Sequence, residues 1–266
     1  MPDYKELCAR VQKIVIDAGN FIRVEKTRFH ARFDVESKGH SNFVTYVDKS
    51  AERMLVEALG QLIPGSGFIA EEGTSDVHGE RFNWVIDPLD GTTNFIHGLP
   101  PHSVSVALME GEEIVLGVVY EITLDELFYA WKGSAAYLNN REIFVSTASE
   151  HQEALIATGY PYYDFGLLEK YFLVLKEMME KTSGVRRLGS AAADLCYVAC
   201  GRFEAFWEYG LHPWDMAAAA FIVQQAGGRI SDFNGEDHYL FNGDIIATNA
   251  LYFDKFYEIV HQHMKH

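Results

Sequence analysis

Residues 84–95 read Trp84-Val85-Ile86-Asp87-Pro88-Leu89-Asp90-Gly91-Thr92-Thr93-Asn94-Phe95. The apolar run reads as a strand, and it ends in two carboxylates, a glycine and two hydroxyls. A turn that only reverses the chain seldom needs all of these. Pro88 stiffens the bend and removes one N–H, so Asp87, the Leu89 carbonyl and Asp90 can present oxygen to one side, the donor type a hard cation prefers. Gly91 lets the backbone approach an anion, and the N–H groups of Gly91, Thr92 and Thr93 would cradle phosphate oxygens if a helical turn begins there. The plainer alternative is a hairpin turn at Asp90-Gly91, a common use of that dipeptide.

Two more acidic positions fit the same chemistry. Glu71-Glu72-Gly73 follows the apolar segment 67–70, so a second strand ends in acid sixteen residues before Asp87. Trp214-Asp215 precedes the apolar stretch 216–226. Asp215 can cap that helix and still bind a cation, because a carboxylate at a positive helix end is held ionised.

Working outward, Leu7, Cys8, Val11, Ile14, Val15, Ala18, Phe21 and Ile22 recur at helical spacing and predict a helix ending near Val24. Ala51, Met54, Leu55, Ala58, Leu59, Leu62 and Ile63 predict a second helix that Pro64-Gly65 stops. Between them, 26–42 reads as a loop or irregular hairpin. Strands are expected at 82–86, 103–109, 114–120 and 127–131, joined by turns at Glu110-Gly111, Lys132-Gly133 and Asn139-Asn140. They form an antiparallel meander with the two helices on one face. Beyond 150 the chain alternates: strands at 154–158, 203–208, 229–231 and 244–248, and helices at 167–181, 190–200, 214–226 and 251–263.

The 266 residues are 48% hydrophobic and 23% charged, the range of an ordinary folded domain. A net charge of −16 argues against a nucleic-acid or anionic-membrane surface, which needs clustered Lys and Arg. The longest apolar runs are too short to span a bilayer, and the charged first residues lack the apolar stretch of a secretory leader, so a cytoplasmic location is expected. Cys8, Cys196 and Cys200 make no disulfide framework and read as core thiols. His97 and His102 flank Leu99-Pro100-Pro101 and are expected to brace that loop, while His261, His263 and His266 read as a frayed, solvated cluster. Arg186-Arg187 fits either a phosphate or a subunit contact.

Taken in order, Glu71-Glu72, then Asp87-Pro88-Leu89-Asp90-Gly91-Thr92, then Trp214-Asp215 with Ala217 and Gly227-Gly228, resemble the signature set of the inositol monophosphatase family. Val44-Thr45 with Asp48, the run Gly189-Ser190-Ala191-Ala192, and Glu208-Tyr209-Gly210 also fall where that family has functional segments. The resemblance covers nearly the whole chain. It implies a layered α/β fold, an αβαβα sandwich of two intimately packed lobes, here 1–149 and 150–266, with the site in the cleft between them.

The resemblance further implies Mg²⁺-dependent hydrolysis of a small phosphate monoester, foremost myo-inositol monophosphate. Glu71, Asp87 and the Leu89 carbonyl would hold one Mg²⁺, and Asp87, Asp90 and Asp215 a second. A third, weaker ion would sit near Glu71. Thr92 and Asp48 would activate the water, Asp48 otherwise reading as a helix-start carboxylate. Gly91 and Thr92 would meet the phosphate, and Glu208, Asp90 and the Ala191 backbone the ring hydroxyls; an acid on a strand with Phe203, Phe206 and Trp207 is otherwise oddly placed. Lys38 resembles a mobile-loop lysine of the family, and relatives are usually homodimers. Related enzymes for fructose 1,6-bisphosphate, nucleotide 3′-phosphates or NADP share the metal residues. The reading from another class is a regulatory binding protein with vestigial activity.

Overall fold

The computed structural model describes residues 2–29, 35–39, 42–161 and 164–265, with 35–39 and 42–44 as backbone alone. Helix α1 (Tyr4–Lys26) is capped by Asp3, whose side chain accepts from the Lys5 and Glu6 N–H groups. Its stripe of Leu7, Cys8, Val11, Val15, Ala18 and Ile22 is buried. Strands β1 (Val35–Gly39) and β2 (Asn42–Thr45) pair antiparallel in the stretch read as a loop or irregular hairpin. Helix α2 (Tyr46–Leu62) buries Val47, Asp48, Ala51, Glu52, Leu55 and Leu59. Met54, expected on that face, is exposed, because the acids Asp48 and Glu52 occupy the inner face beside Ala51 and Leu55.

A seven-stranded sheet follows in simple order: β3 (Gly67–Ala70), β4 (Phe82–Asp90), β5 (Ser103–Glu110), β6 (Glu113–Glu121), β7 (Glu126–Trp131), β8 (Ala136–Leu138) and β9 (Arg141–Ile143). Each neighbouring pair is antiparallel except β3 with β4. A short helix α3 (Thr92–His97) begins just after Asp90. The β8–β9 hairpin, unread as strands because each is three residues long, turns on Asn139 and Asn140, both at positive φ.

The remaining elements are β10 (Leu155–Thr158), α4 (Leu168–Lys181), β11 (Gly184–Arg186), α5 (Ala191–Ala199), β12 (Ala205–Tyr209), α6 (Pro213–Gln225), β13 (Arg229–Ser231), α7 (Tyr239–Asn242), β14 (Asp244–Thr248) and α8 (Phe253–Met264). The second sheet runs β11-β10-β12-β14-β13, with β10 parallel to its neighbours and β14 antiparallel to its own. The three-residue β11 and the four-residue α7 carry too little periodicity to be read from sequence.

Side-chain alternation explains the layering. Trp84, Ile86, Val106, Leu108 and Val118 pack with α1 and α2, while Val85, Ala107 and Val119 pack with α5 and α6. The first sheet is therefore covered on both faces, by α1–α2 on the one expected for them and by α5–α6 on the other, which is why its strands are apolar nearly throughout. Ala157, Phe206 and Ile245 of the second sheet join the same α5–α6 core, and Ile156, Trp207 and Ile246 pack outward on α4 and α8. The layers run α1–α2, sheet, α5–α6, sheet, α4–α8, the αβαβα order. Being sandwiched makes α5 and α6 apolar all round.

The terminal histidines are not a frayed cluster. His261 Nδ1 lies 2.9 Å from the Phe233 carbonyl oxygen, and His263 Nε2 lies 2.8 Å from Glu177 Oε2, pinning α8 to its neighbours. His266 lies outside the described residues. His102 is buried edge-on to Phe95 at 5.7 Å, as a brace should be, whereas His97 is exposed.

Gly117 on β6 sets how closely α6 approaches the first sheet, for a Cβ there would stand 2.5 Å from the Ala218 carbonyl oxygen. Gly117→Ala must push α6 outward, an overpacking cost of roughly 1–3 kcal/mol. Urea unfolding should show a loss of that size; unchanged stability would mean the α6 contact is loose.

Candidate active site

The cleft lies where four helices begin and three strands end. Strand β4 arrives with Asp87 buried, and its pairing with β5 slips between Asp87 and Asp90, so the Asp87-Pro88-Leu89-Asp90 segment bulges out of the ladder. The strand thus extends through the acids to Asp90 instead of stopping at Ile86. Asp87 Oδ1 accepts from the Leu89 N–H at 2.9 Å, which folds the bulge and leaves the Leu89 carbonyl at the cleft with its side chain in the core.

Asp90 ties the two halves of the molecule together. Its Oδ2 accepts from Ser190 Oγ at 2.5 Å, from the Ala192 N–H at 2.8 Å and, more distantly, from Ser103 Oγ at 3.5 Å. Asp215 stands in the first turn of α6, where its Oδ2 accepts the His212 N–H at 2.6 Å and His212 stacks on Trp214. One carboxylate oxygen each from Asp87, Asp90 and Asp215 come within 4.8 Å of one another. Glu71, at the end of β3, lines the same cleft, and its N–H donates to the Ile86 carbonyl at 3.2 Å.

Crowding of like charges out of water dominates the electrostatics. Burial first, then Glu71, Asp90 and Asp215, hold Asp87 well above the usual carboxylate range. Burial raises Asp90 to about 6 against the pull of Ser190 and the Ala192 and Ala191 N–H groups. Burial, then Asp90, raises Asp215 to about 7. No lysine or arginine among the described residues pairs with these three acids. Hard carboxylate oxygens gathered in this way suit Mg²⁺. Asp87, Asp90, Asp215, Glu71 and the Leu89 carbonyl are the groups that would hold it.

Beside this cluster, Thr92 Oγ1 lies 3.0 Å from Asp48 Oδ1 and 2.9 Å from the Leu89 carbonyl oxygen. Asp48 is fully buried, which raises its pKa, and its Oδ2 accepts the Thr45 N–H at 2.8 Å and the Thr45 hydroxyl. It therefore closes the capping box of α2 with one oxygen and meets Thr92 with the other, so the helix-start reading holds without excluding the contact with Thr92. Gly91, at positive φ, opens α3 with no side chain capping it, meeting the condition set for the Gly91–Thr93 cradle.

Glu208, near the end of β12, is buried and lines the same cleft; burial raises it strongly, Arg187 opposes the rise, and Asp215 and Asp90 add to it. Ala191 lines the cleft, and Arg187 joins it there, stacked over Tyr160 at 5.3 Å. Lys38 falls in β1, but its side chain lies outside the described residues.

Several participants escaped the sequence reading. Glu52 is buried and accepts the Glu72 and Thr74 N–H groups, each at 2.7 Å, fixing the turn that carries Glu71. Its signal was an acid one helical turn after Asp48 on the apolar face. Ser190, named in the sequence only within the run 189–192 and without a role, caps α5 and grips Asp90; a serine before three alanines is a helix-start signal. Ser103 and Asp194 gave no comparable signal.

Comparison with known proteins places this geometry. The sequence profile of the inositol monophosphatase family matches residues 3–265. An inositol-1-monophosphatase of Mesorhizobium japonicum is 41% identical over 218 residues, 82% of each chain. The Nus factor SuhB of Pseudomonas aeruginosa is 41% identical over 235 residues, 86% of this chain and 87% of its own. The solved structure of a Thermotoga maritima IMPase is 36% identical with a TM-score of 0.85, covering 94% of this chain and 95% of that one.

Without a cation, the raised Asp90 and Asp215 bind protons in the folded state that the unfolded chain has released. That stability is present in acid, below the ordinary carboxylate range, and is lost as pH rises through about 6 to 7. Mg²⁺ should restore it. Thermal unfolding with and without Mg²⁺ should therefore show a larger gain at pH 7.5 than at pH 5, by about 3 °C or more. An equal gain at both would refute the buried-repulsion account.

Proposed function

The chain belongs to the inositol monophosphatase family and is a phosphoric monoester hydrolase, and from that premise we propose that its substrate is myo-inositol monophosphate, cleaved to inositol and phosphate. The family is Mg²⁺-dependent; we assign two ions here, one to Glu71, Asp87 and the Leu89 carbonyl, the other to Asp87, Asp90 and Asp215, with a third, weaker position near Glu71. The observation that carries the reading is one cleft lined by a carboxylate cluster and by buried Glu208, with a Thr92–Asp48 pair beside the cluster.

Bound Mg²⁺ supplies Lewis-acid neutralisation of the phosphate and a more acidic attacking water. The protein's own residues do the rest. Thr92 Oγ1 accepts a proton from the water as its oxygen attacks phosphorus, and passes its own proton to Asp48 Oδ1. Desolvation makes Asp48 the better base. Backbone N–H groups of Gly91 and Thr92 meet the phosphate oxygens. The P–O ester bond breaks, and the leaving alkoxide takes a proton from solvent. Glu208, Asp90 and the Ala191 backbone orient the ring through its hydroxyls. The reading keeps lobes 1–149 and 150–266, with Asp215 and Glu208 from the second, and takes the protein as a cytoplasmic homodimer with no nucleic-acid or membrane surface.

Fructose 1,6-bisphosphate, a nucleotide 3′-phosphate or NADP is the alternative substrate. The name of the P. aeruginosa relative, Nus factor, favours a second reading as a regulatory partner with vestigial activity. Phosphate release across a panel of monoesters, with Mg²⁺ and with excess chelator, separates these. Turnover of inositol monophosphate that stops with chelator supports the proposal; full turnover in chelator, or none on any ester, defeats it.

Two variants test the roles. Thr92→Ala should lower kcat by about 10²–10⁴ with Mg²⁺ affinity by calorimetry nearly unchanged; affinity collapsing in step would make Thr92 part of the metal cage. Glu208→Gln should raise KM for inositol phosphate by roughly 10- to 150-fold, the value of one charged hydrogen bond, and spare 4-nitrophenyl phosphate. Equal effects on the two would take Glu208 out of the substrate site.

A further inference from the structure

Helix α5 is buried along its whole length, yet it carries one acid, Asp194. Asp194 is 1% exposed, and its Oδ1 has no hydrogen-bond partner among the described residues. A buried acceptor left without a donor is costly and calls for a use. Capping does not supply one, because Ser190 already caps α5 by accepting the Ala193 N–H at 3.3 Å.

The position of Asp194 points to the cleft. It stands three residues after Ala191, on the same helix face, and both line the cleft with Gly159, Arg187 and Glu208. Gly159 has no Cβ for a reason: one there would stand 1.9–2.0 Å from the Glu208 carboxylate, which rests directly on the Gly159 backbone. After burial, Glu208 and then Asp90 are the charges that hold Asp194 well above the usual carboxylate range, while Arg187 lowers it. Asp194 and Glu208 are thus two further acids of the cleft, near enough to Asp90 for its charge to raise both, and Arg187 opposes the rise in each.

We propose that Asp194 is a specificity-determining residue of the organic half of the cleft, its free Oδ1 meeting a substrate hydroxyl beside the one held by Glu208. The proposal deepens the substrate reading above and rests on it. A polyol suits such a pair because each hydroxyl both donates and accepts, so it satisfies a carboxyl group whether or not the proton is on it. An ester without those hydroxyls leaves both acids unmatched. Sites built to bond a hydroxyl discriminate strongly against analogues that lack it.

The test uses the Mg²⁺-loaded enzyme with Asp194→Asn and Asp194→Ala, assayed on myo-inositol 1-phosphate and 4-nitrophenyl phosphate, with melting temperature recorded for each. The ratio of kcat/KM between the two substrates should fall about tenfold or more, chiefly through KM. Inhibition by free myo-inositol should weaken in parallel. Asp194→Asn keeps the shape of the side chain and should melt no lower than wild type, so it serves if Asp194→Ala folds poorly. A ratio within about twofold of wild type, whether both rates fall together or neither moves, overturns the assignment. Failure of the wild type itself on inositol monophosphate is seen before any variant is made, and it removes the substrate reading and the Asp194 assignment together.

Discussion

Three carboxylate oxygens, two from the end of β4 and one from the start of α6, are held within 4.8 Å of one another, largely out of water, and much of the fold is arranged around that repulsion. At such a distance each pair of like charges costs about 3 kcal/mol at an effective dielectric near 20. The whole stability of a domain is only about 5–15 kcal/mol. The apolar layers on either side of the first sheet must therefore carry the cluster. Local donors also offset it: the Leu89 N–H for Asp87, Ser190 and the Ala192 N–H for Asp90, and the His212 N–H for Asp215.

The donors to Asp90 and Asp215 stand at helix starts, whereas the Leu89 N–H that serves Asp87 belongs to the β4 bulge. Helices α2, α3, α5 and α6 all start at the cleft, where their first N–H groups have no intrahelical acceptor. Acids placed there gain hydrogen bonds and a favourable helix field, which oppose the rise that burial imposes on them. The central α5–α6 layer is what brings this about. Its two helices are packed between the sheets, so their starts are fixed relative to the end of β4, and Asp90 is gripped by α5 while Asp215 is delivered by α6.

The site acids were legible in sequence because each interrupts an apolar pattern: Asp87 and Asp90 after a β-branched strand, Asp215 before an alanine-rich helix. The elements with strong periodicity were legible for the same reason. What was not legible depends on partners far away in the chain. Ser103 can be understood only once β5 lies beside Asp90, and Asp194 only once α5 lies beside β12. The second covered face of the first sheet belongs to the same class, since nothing within the strands says which later helices return to pack on them.

Asp48 shows why a capping signal should not be set against a catalytic one. One oxygen closes the α2 capping box through Thr45, and this fixes the carboxylate in place. The other faces Thr92 at 3.0 Å. A carboxylate proposed as a base gains most from proximity when it is held still, and the cap holds this one. Glu52 extends the reasoning one helical turn further: its two oxygens fix the turn behind Glu71, so a single face of α2 sets the placement of both Asp48 and Glu71. The two roles follow from one rigid helix start, and the local pattern of acids on its inner face is the trace they leave in the sequence.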